Sequence, residues 1–258
     1  MKHHLAMLIA AASLLAASLP AETNGLRVLT YNIHIGRGLD GRYDLARIAR
    51  VIREADADLV ALQEVDRGTR RSQGDDQAAE LARLLPGYTP FFAQAMPHDG
   101  GSYGVCVLSR LPVQSTRAVS LPGGGGCEPR AAAVLEVTFA GAPLTFVGTH
   151  LENANREMRL RQAQALEAAV PLAPDARAIL AGDFNAPPDQ AALAPLTNRW
   201  RVTWAGPPGL SYPAGAPEIA IDHVWSHPAA WADGVRCEVI AEPVASDHRP
   251  VRATWPGR

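Results

Sequence analysis

Short apolar runs alternate along this chain with a few stretches of helical periodicity, and that alternation restricts its fold more than any other feature. Leu26 to Tyr31, Asp58 to Leu62, Tyr103 to Leu108, Val113 to Leu121, Ala131 to Phe139 and Leu144 to Thr149 read as strands. So do Ala178 to Ala181, Ile219 to Trp225, Val235 to Ile240 and Val251 to Trp255. Leu45, Ile48, Val51, Ile52 and Ala55 recur at helical spacing, and a second helix is expected from Asp76 to Leu85. A third turns Met158, Ala163, Leu166 and Val170 inward. Turns at Ser109-Arg110-Leu111-Pro112 and Ala140-Gly141-Ala142-Pro143 join neighbouring strands like hairpins, so the sheets should be mixed or largely antiparallel, with helices outside. The Pro/Gly-rich stretch Gly206 to Pro217 reads as a surface loop, because strands resume directly after it. One domain over residues 22–258 is expected.

The first residues read as an address. Lys2 precedes an uncharged stretch from Leu5 to Leu19, then Pro20-Ala21 and polar Glu22-Thr23-Asn24. That is the layout of a secretory signal peptide over residues 1–21, with an uncleaved membrane anchor as the alternative. The expected location is therefore periplasmic or secreted. In such an oxidising setting Cys106 and Cys127 are the pair expected to bond, with Cys237 left over. No Cys/His cluster with zinc spacing occurs. At 47% hydrophobic, 19% charged and a formal net charge of −2, the 258 residues are globular rather than disordered. The near-neutral balance argues against a dedicated sequence-independent DNA binder but leaves room for a local basic groove.

Chemistry collects where strands end. The run Ala178-Ile179-Leu180-Ala181 opens into Gly182-Asp183-Phe184-Asn185. If the extended geometry persists, Asp183 and Asn185 point the same way, a carboxylate beside an amide. Alone, this is equally an Asp/Asn turn. Asn32, Gln63-Glu64, Thr149-His150, Asp222 and Ser246-Asp247-His248 also sit at strand ends. Taken singly, each has a structural explanation. Together they form a set of hard oxygen ligands with two histidines, which suits Mg²⁺ or Mn²⁺ better than zinc.

Tyr31-Asn32-Ile33-His34, Leu62-Gln63-Glu64-Val65, Gly148-Thr149-His150-Leu151, Gly182-Asp183-Phe184-Asn185, Ile221-Asp222-His223 and Ser246-Asp247-His248-Arg249-Pro250-Val251 occur in that order. In this the chain resembles the endonuclease/exonuclease/phosphatase superfamily, which includes deoxyribonuclease I, exonuclease III, neutral sphingomyelinases and inositol polyphosphate 5-phosphatases. The resemblance implies an α/β fold, a four-layer α/β/β/α sandwich of two mixed, mainly antiparallel sheets flanked by helices. It implies a Mg²⁺-dependent phosphoester hydrolase, with Mn²⁺ a possible substitute, using in-line attack of water on phosphorus. By similarity Glu64 is the main metal ligand, helped by Asn32 and completed by Asp247. Asp222 orients His248 against the phosphate, Asp183 takes a proton from or aligns the water, Asn185 holds a phosphoryl oxygen and His150 is a further donor.

Many relatives carry Gly-Asn-Ala before Leu-Ser-Arg, whereas this chain has Gly104-Val105-Cys106-Val107-Leu108-Ser109-Arg110. Val105 cannot supply that amide, and Tyr103 and Arg130 are candidates to replace it as substrate contacts. Arg130 is equally a partner for Glu128, Arg159 and Gln162 read as scaffold, and His223 should face away from Asp222. The substrate stays open between nucleic acid, phospholipid and small molecule, with a nuclease-like phosphodiesterase preferred. That reading needs a groove, for which Arg37, Arg42, Arg67, Arg70 and Arg71 are available, though they read equally as a solvated face. A lipid or small-molecule phosphoesterase would want exposed apolar loops at Pro90-Phe91-Phe92 or Trp200 to Trp204. A non-catalytic module on the same fold is a third class, disfavoured by the intact acid–base and metal set. No obligate protein partner is evident, and a monomer is expected.

Overall fold

The computed structural model describes residues 25–257. The expected signal peptide at 1–21 lies outside them. Three helices form where the periodicity places them: α1 (Leu45–Ala55), α2 (Gln77–Leu84) and α3 (Arg156–Ala169). Each begins on an N-cap side chain that accepts a free backbone N–H: Asp44 from Arg47, Asp76 from Ala79 and Asn155 from Met158.

Twelve strands, β1 (Arg27–Asn32), β2 (Leu59–Arg67), β3 (Thr89–His98), β4 (Gly101–Ser109), β5 (Val113–Leu121), β6 (Arg130–Phe139), β7 (Ala142–His150), β8 (Ala178–Asp183), β9 (Arg201–Val202), β10 (Asp222–His227), β11 (Arg236–Val239) and β12 (Val251–Thr254), make two six-stranded sheets. Their orders are β11-β12-β1-β2-β4-β3 and β5-β6-β7-β8-β10-β9. Only β1–β2 and β7–β8 pair in parallel, and α1 and α3 are the crossovers that such pairing requires. Both sheets are otherwise antiparallel, as expected.

Three apolar clusters fill the spaces between layers. One joins Leu29, Tyr31, Val60 and Leu62 to α1 and α2; a second lies between the sheets, around Val28, Ala61, Val107, Phe146 and Val224; a third joins Val147 and Leu180 to Leu166 of α3. Two sheets face to face with helices on both outer faces form the four-layer α/β/β/α sandwich. Gly148 allows the close approach at its centre, since a Cβ there would stand 2.6 Å from Val107 Cγ1 and 3.2 Å from Ala61 Cβ.

Three expectations need correction. Pro90-Phe91-Phe92 is not an exposed loop but part of β3, where Phe91 packs on the inter-sheet core and Phe92 on the helix side. Trp200 is likewise buried in the third cluster. Neither segment offers the apolar surface that a lipid-binding loop needs. All three cysteines are free thiols, because Cys106 points into the core under α1 and α2 while Cys127 lies in the loop before β6.

Candidate active site

The two parallel pairs end side by side, and their C-terminal ends supply the centre of the site. Thr149–His150 of β7 lies in register with Gly182–Asp183 of β8, and β10 sets Asp222 opposite Asp183. Gly182 makes this possible, since any Cβ there would stand 2.3 Å from the Thr149 carbonyl oxygen. On the other sheet β1 ends in Asn32, and β2 changes register between Leu62 and Val65. Glu64 sits on that bulge with φ of 57°, so its carboxylate is re-aimed at Asn32 instead of following the pleat.

Asp183 is the hub. Its Oδ2 accepts from Asn32 Nδ2 at 3.1 Å and lies 3.4 Å from His150 Nε2 and 3.7 Å from His248 Nε2. Its Oδ1 accepts the Asn185 backbone N–H at 2.8 Å. The chain turns at Asn185, whose φ is 50°, so the extended geometry expected across Asp183-Phe184-Asn185 does not persist. The two side chains converge through this turn instead, and Asn185 Nδ2 comes to 3.1 Å from His150 Nε2 while donating to the Leu151 carbonyl.

His248 stands between two carboxylates, with Nδ1 2.9 Å from Asp222 Oδ2. Burial works against its charge, but Asp222 and Asp183 overcome this and raise it to about 10. Burial and the nearby Asp222 raise Asp183 to about 7, against the pull of His248. His150 is pushed well below its ordinary value by burial, then by Arg130 and His248, and is neutral. The site therefore holds a protonated imidazole, a neutral one and a carboxyl poised to exchange a proton.

Asp183, Asp222 and His248 offer atoms within 4.8 Å of one another and could in principle hold a cation. Both His248 ring nitrogens already face carboxylates, so that trio carries a cation of its own. Glu64 is different, because it makes no ion pair among the described residues. Asp247 has one basic neighbour within 4 Å among the described residues, the His34 imidazole at 3.9 Å. Two carboxylates without a Lys or Arg partner, next to an amide, fit a hard divalent cation. Asn32 meets Glu64 and Asp183 with its nitrogen, since its Oδ1 accepts the His34 backbone N–H at 3.0 Å. Asp247 joins this group through Ser246, whose hydroxyl donates to the Asn32 carbonyl at 2.7 Å and lies 3.3 Å from Asp247 Oδ1.

Tyr103 and Arg130 are both buried beside this centre. Arg130 Nη1 lies 3.5 Å from His150 Nδ1, 3.4 Å from the Tyr103 hydroxyl and 3.2 Å from Glu128. The expected pairing with Glu128 is thus real, and so is the contact with the site. Val105 faces the inter-sheet core. Arg159 and Gln162 hold the backbone of Glu152, as scaffold residues would, and His223 turns away from Asp222 to reach the Ala186 carbonyl. Two further residues come from the Pro/Gly-rich loop. Ser211 donates to Asp222 Oδ2 at 2.6 Å, and the Tyr212 ring lies 4.7 Å from that of His248. No sequence signal marks either one.

The sequence matches the endonuclease/exonuclease/phosphatase family over residues 29–248. The chain belongs to that family. A search of curated proteins finds no match. Among solved structures, an endonuclease/exonuclease/phosphatase of Beutenbergia cavernae DSM 12333 is 26% identical, with a TM-score of 0.72, over 91% of this chain and 72% of that one. A Bacteroides thetaiotaomicron mannosyl-6-phosphatase is 17% identical with a TM-score of 0.71, over 88% and 98% of the two chains. D. rerio TDP2 complexed with a single-strand DNA product is 19% identical with a TM-score of 0.68, over 89% and 98%.

Proposed function

We propose that this protein is a Mg²⁺-dependent phosphoester hydrolase that uses water as its nucleophile. The observation that carries this is the buried Asp183 carboxylate, held by Asn32 and the Asn185 backbone with both imidazoles in reach. Raised towards neutrality, Asp183 is a base matched to a water it must align and deprotonate. His248, kept protonated by Asp222, donates to a phosphoryl oxygen as charge builds there. The Asn185 amide and neutral His150 provide further polar contacts to the other oxygens. Glu64 and Asp247, with Asn32 beside them, would hold the metal, which supplies a Lewis acid for the developing charge. The whole is an in-line displacement at phosphorus with no covalent intermediate on the protein.

The arginines bear on the substrate. Arg70 and Arg71 are paired with Asp99 and Asp66, and Arg42 lies 4.0 Å from Asp40. Arg37 donates to the Gly41 carbonyl, and Arg67 lies over the Phe92 ring. Three of the five thus sit against carboxylates, and this partly compensated charge favours a compact phosphoester over a long polyanion. The mannosyl-6-phosphatase neighbour supports the same direction, while the TDP2 neighbour keeps a phosphodiester in view. Export through the N-terminal segment and a single-domain monomer complete the proposal.

The test is hydrolysis of p-nitrophenyl phosphate, bis-p-nitrophenyl phosphate, plasmid DNA, RNA and sphingomyelin with Mg²⁺, comparing wild type with Glu64→Ala and His248→Ala. Turnover of at least one substrate, lost in both variants, is expected. No turnover of any, or variants equal to wild type, would refute the reading.

A further inference from the structure

Beside Glu64 opens a polar cavity of about 220 Å³, lined by Arg71, His98, Glu128, Arg130 and Asn153. It is smaller than the roughly 300–1,000 Å³ typical of pockets for drug-sized ligands, and so suits one ring rather than a chain. The larger cavity of about 710 Å³ lies around Arg27, Glu238 and Arg252, at the opposite end of β1 from Asn32. The small cavity adjoins the reacting centre on two sides. Glu64 is one wall, and Arg130 in another wall touches His150.

Its charges are built in and compensated. Arg71 Nε and Nη2 are forked onto Asp66 at 2.7 and 2.8 Å, and Asp66 also takes the hydroxyls of Thr69 and Ser72. The Arg71 guanidinium lies over the Tyr103 ring at 5.3 Å, so its position is fixed and the Nη1 nitrogen is outside the fork. Arg130, only 4% exposed, is paired with Glu128, and its Nε is buried with no hydrogen-bond partner.

Donors and carboxylate acceptors therefore alternate around a space with little net charge. A second anionic group would meet Glu64 and Glu128, and an apolar group would leave the Arg71 Nη1 donor, outside the fork, unpaired. A hydroxyl both donates and accepts, and several on one ring match this lining. We propose that the cavity binds a neutral polyhydroxylated ring, a hexose or cyclitol, which carries the phosphoester into the reacting centre. The inference rests on the hydrolase reading and gives it a substrate class, a sugar or cyclitol phosphate.

Two measurements test it. In the first, free mannose, glucose and myo-inositol are titrated into the protein and ring binding is followed by saturation-transfer NMR, a readout that needs no turnover. At least one ring should bind, and His98→Ala and Asn153→Ala should weaken it about fivefold or more, as loss of one hydrogen bond does. Both side chains lie on the cavity wall outside the core clusters, and Arg71→Lys, with its fold checked by circular dichroism, provides a third variant. In the second, kcat/KM with Mg²⁺ is compared for hexose and inositol phosphates, both p-nitrophenyl esters and sphingomyelin vesicles. The ring phosphates should lead by at least tenfold, with the lead reduced in the variants. Hydrolysis of the p-nitrophenyl esters without ring binding or preference overturns this inference alone. A preference for sphingomyelin does the same, whereas no hydrolysis of any ester overturns the hydrolase reading beneath it.

Discussion

Asp183 and His248 share one environment, and its electrostatics dictate how the rate should depend on pH. Asp183 works when it has lost its proton, so kcat/KM should rise through about pH 7 instead of the ordinary carboxylate range near 3.8. His248 works when protonated, so the rate should fall at about pH 10. Asp222 raises both groups, and Asp222→Asn should move both limbs to lower pH in a rate profile measured at saturating metal. Stability follows the same sign. Both folded values are raised, so these groups stabilise the fold most at low pH and that contribution is lost as pH climbs through about 7 and then about 10. Ser211→Ala removes one bond to Asp222, worth about 1 kcal/mol, and should lower kcat about fivefold with little change in KM. The six motifs were legible because each abuts an apolar run, at its end or its start. Ser211 and Tyr212 were not, because a Pro/Gly-rich loop has no period from which a contact can be read. They reach the site through tertiary bonds such as that from Ala214 N to the Asp247 carbonyl.

At the scale of elements, the helices and most strands follow directly from periodicity, and the misses have physical causes. β3 carries Pro90 and Pro97 within its ten residues, which argues against a strand unless that strand lies at a sheet edge. It does lie at an edge, so the apolar pair Phe91-Phe92 looked like a loop when it was a half-buried strand. β2 runs on past Leu62 only by way of the bulge at Glu64, which alternation alone cannot reveal. The contact between β7 and β8 sets the geometry of His150 and Asp183 and leaves no room at Gly182. Gly182→Ala should destabilise the protein by about 1–3 kcal/mol, read as a lowered urea midpoint, and should impair activity more than its stability loss explains. Asp66→Ala would strand Arg71 without its fork partner and leave Thr69 and Ser72 without their acceptor, at a cost of about 3–5 kcal/mol in the same assay.

For the whole molecule, two sheets bring chain segments more than two hundred residues apart into one site, as in the bond from Ser246 to the Asn32 carbonyl. That long-range closure is why no single motif was decisive and their order was. The paired arginines should make turnover only weakly sensitive to salt, whereas a steep fall in log rate with log salt would restore a nucleic-acid groove to the account. Thiol titration of the denatured but unreduced protein should find Cys106, Cys127 and Cys237 all reactive. Chelation should abolish hydrolysis and Mg²⁺ should restore it, since Glu64 makes no ion pair among the described residues and Asp247 meets only an imidazole at 3.9 Å as a basic partner. Activation of the water rests on the buried Asp183 carboxylate, and Asp183→Asn isolates that role because it keeps the shape and removes the base. Steady-state hydrolysis of the best substrate with saturating Mg²⁺ should fall by about 10²–10⁴ in a variant whose thermal midpoint is retained. A folded Asp183→Asn protein that turns over at the wild-type rate would show that Asp183 is not the base.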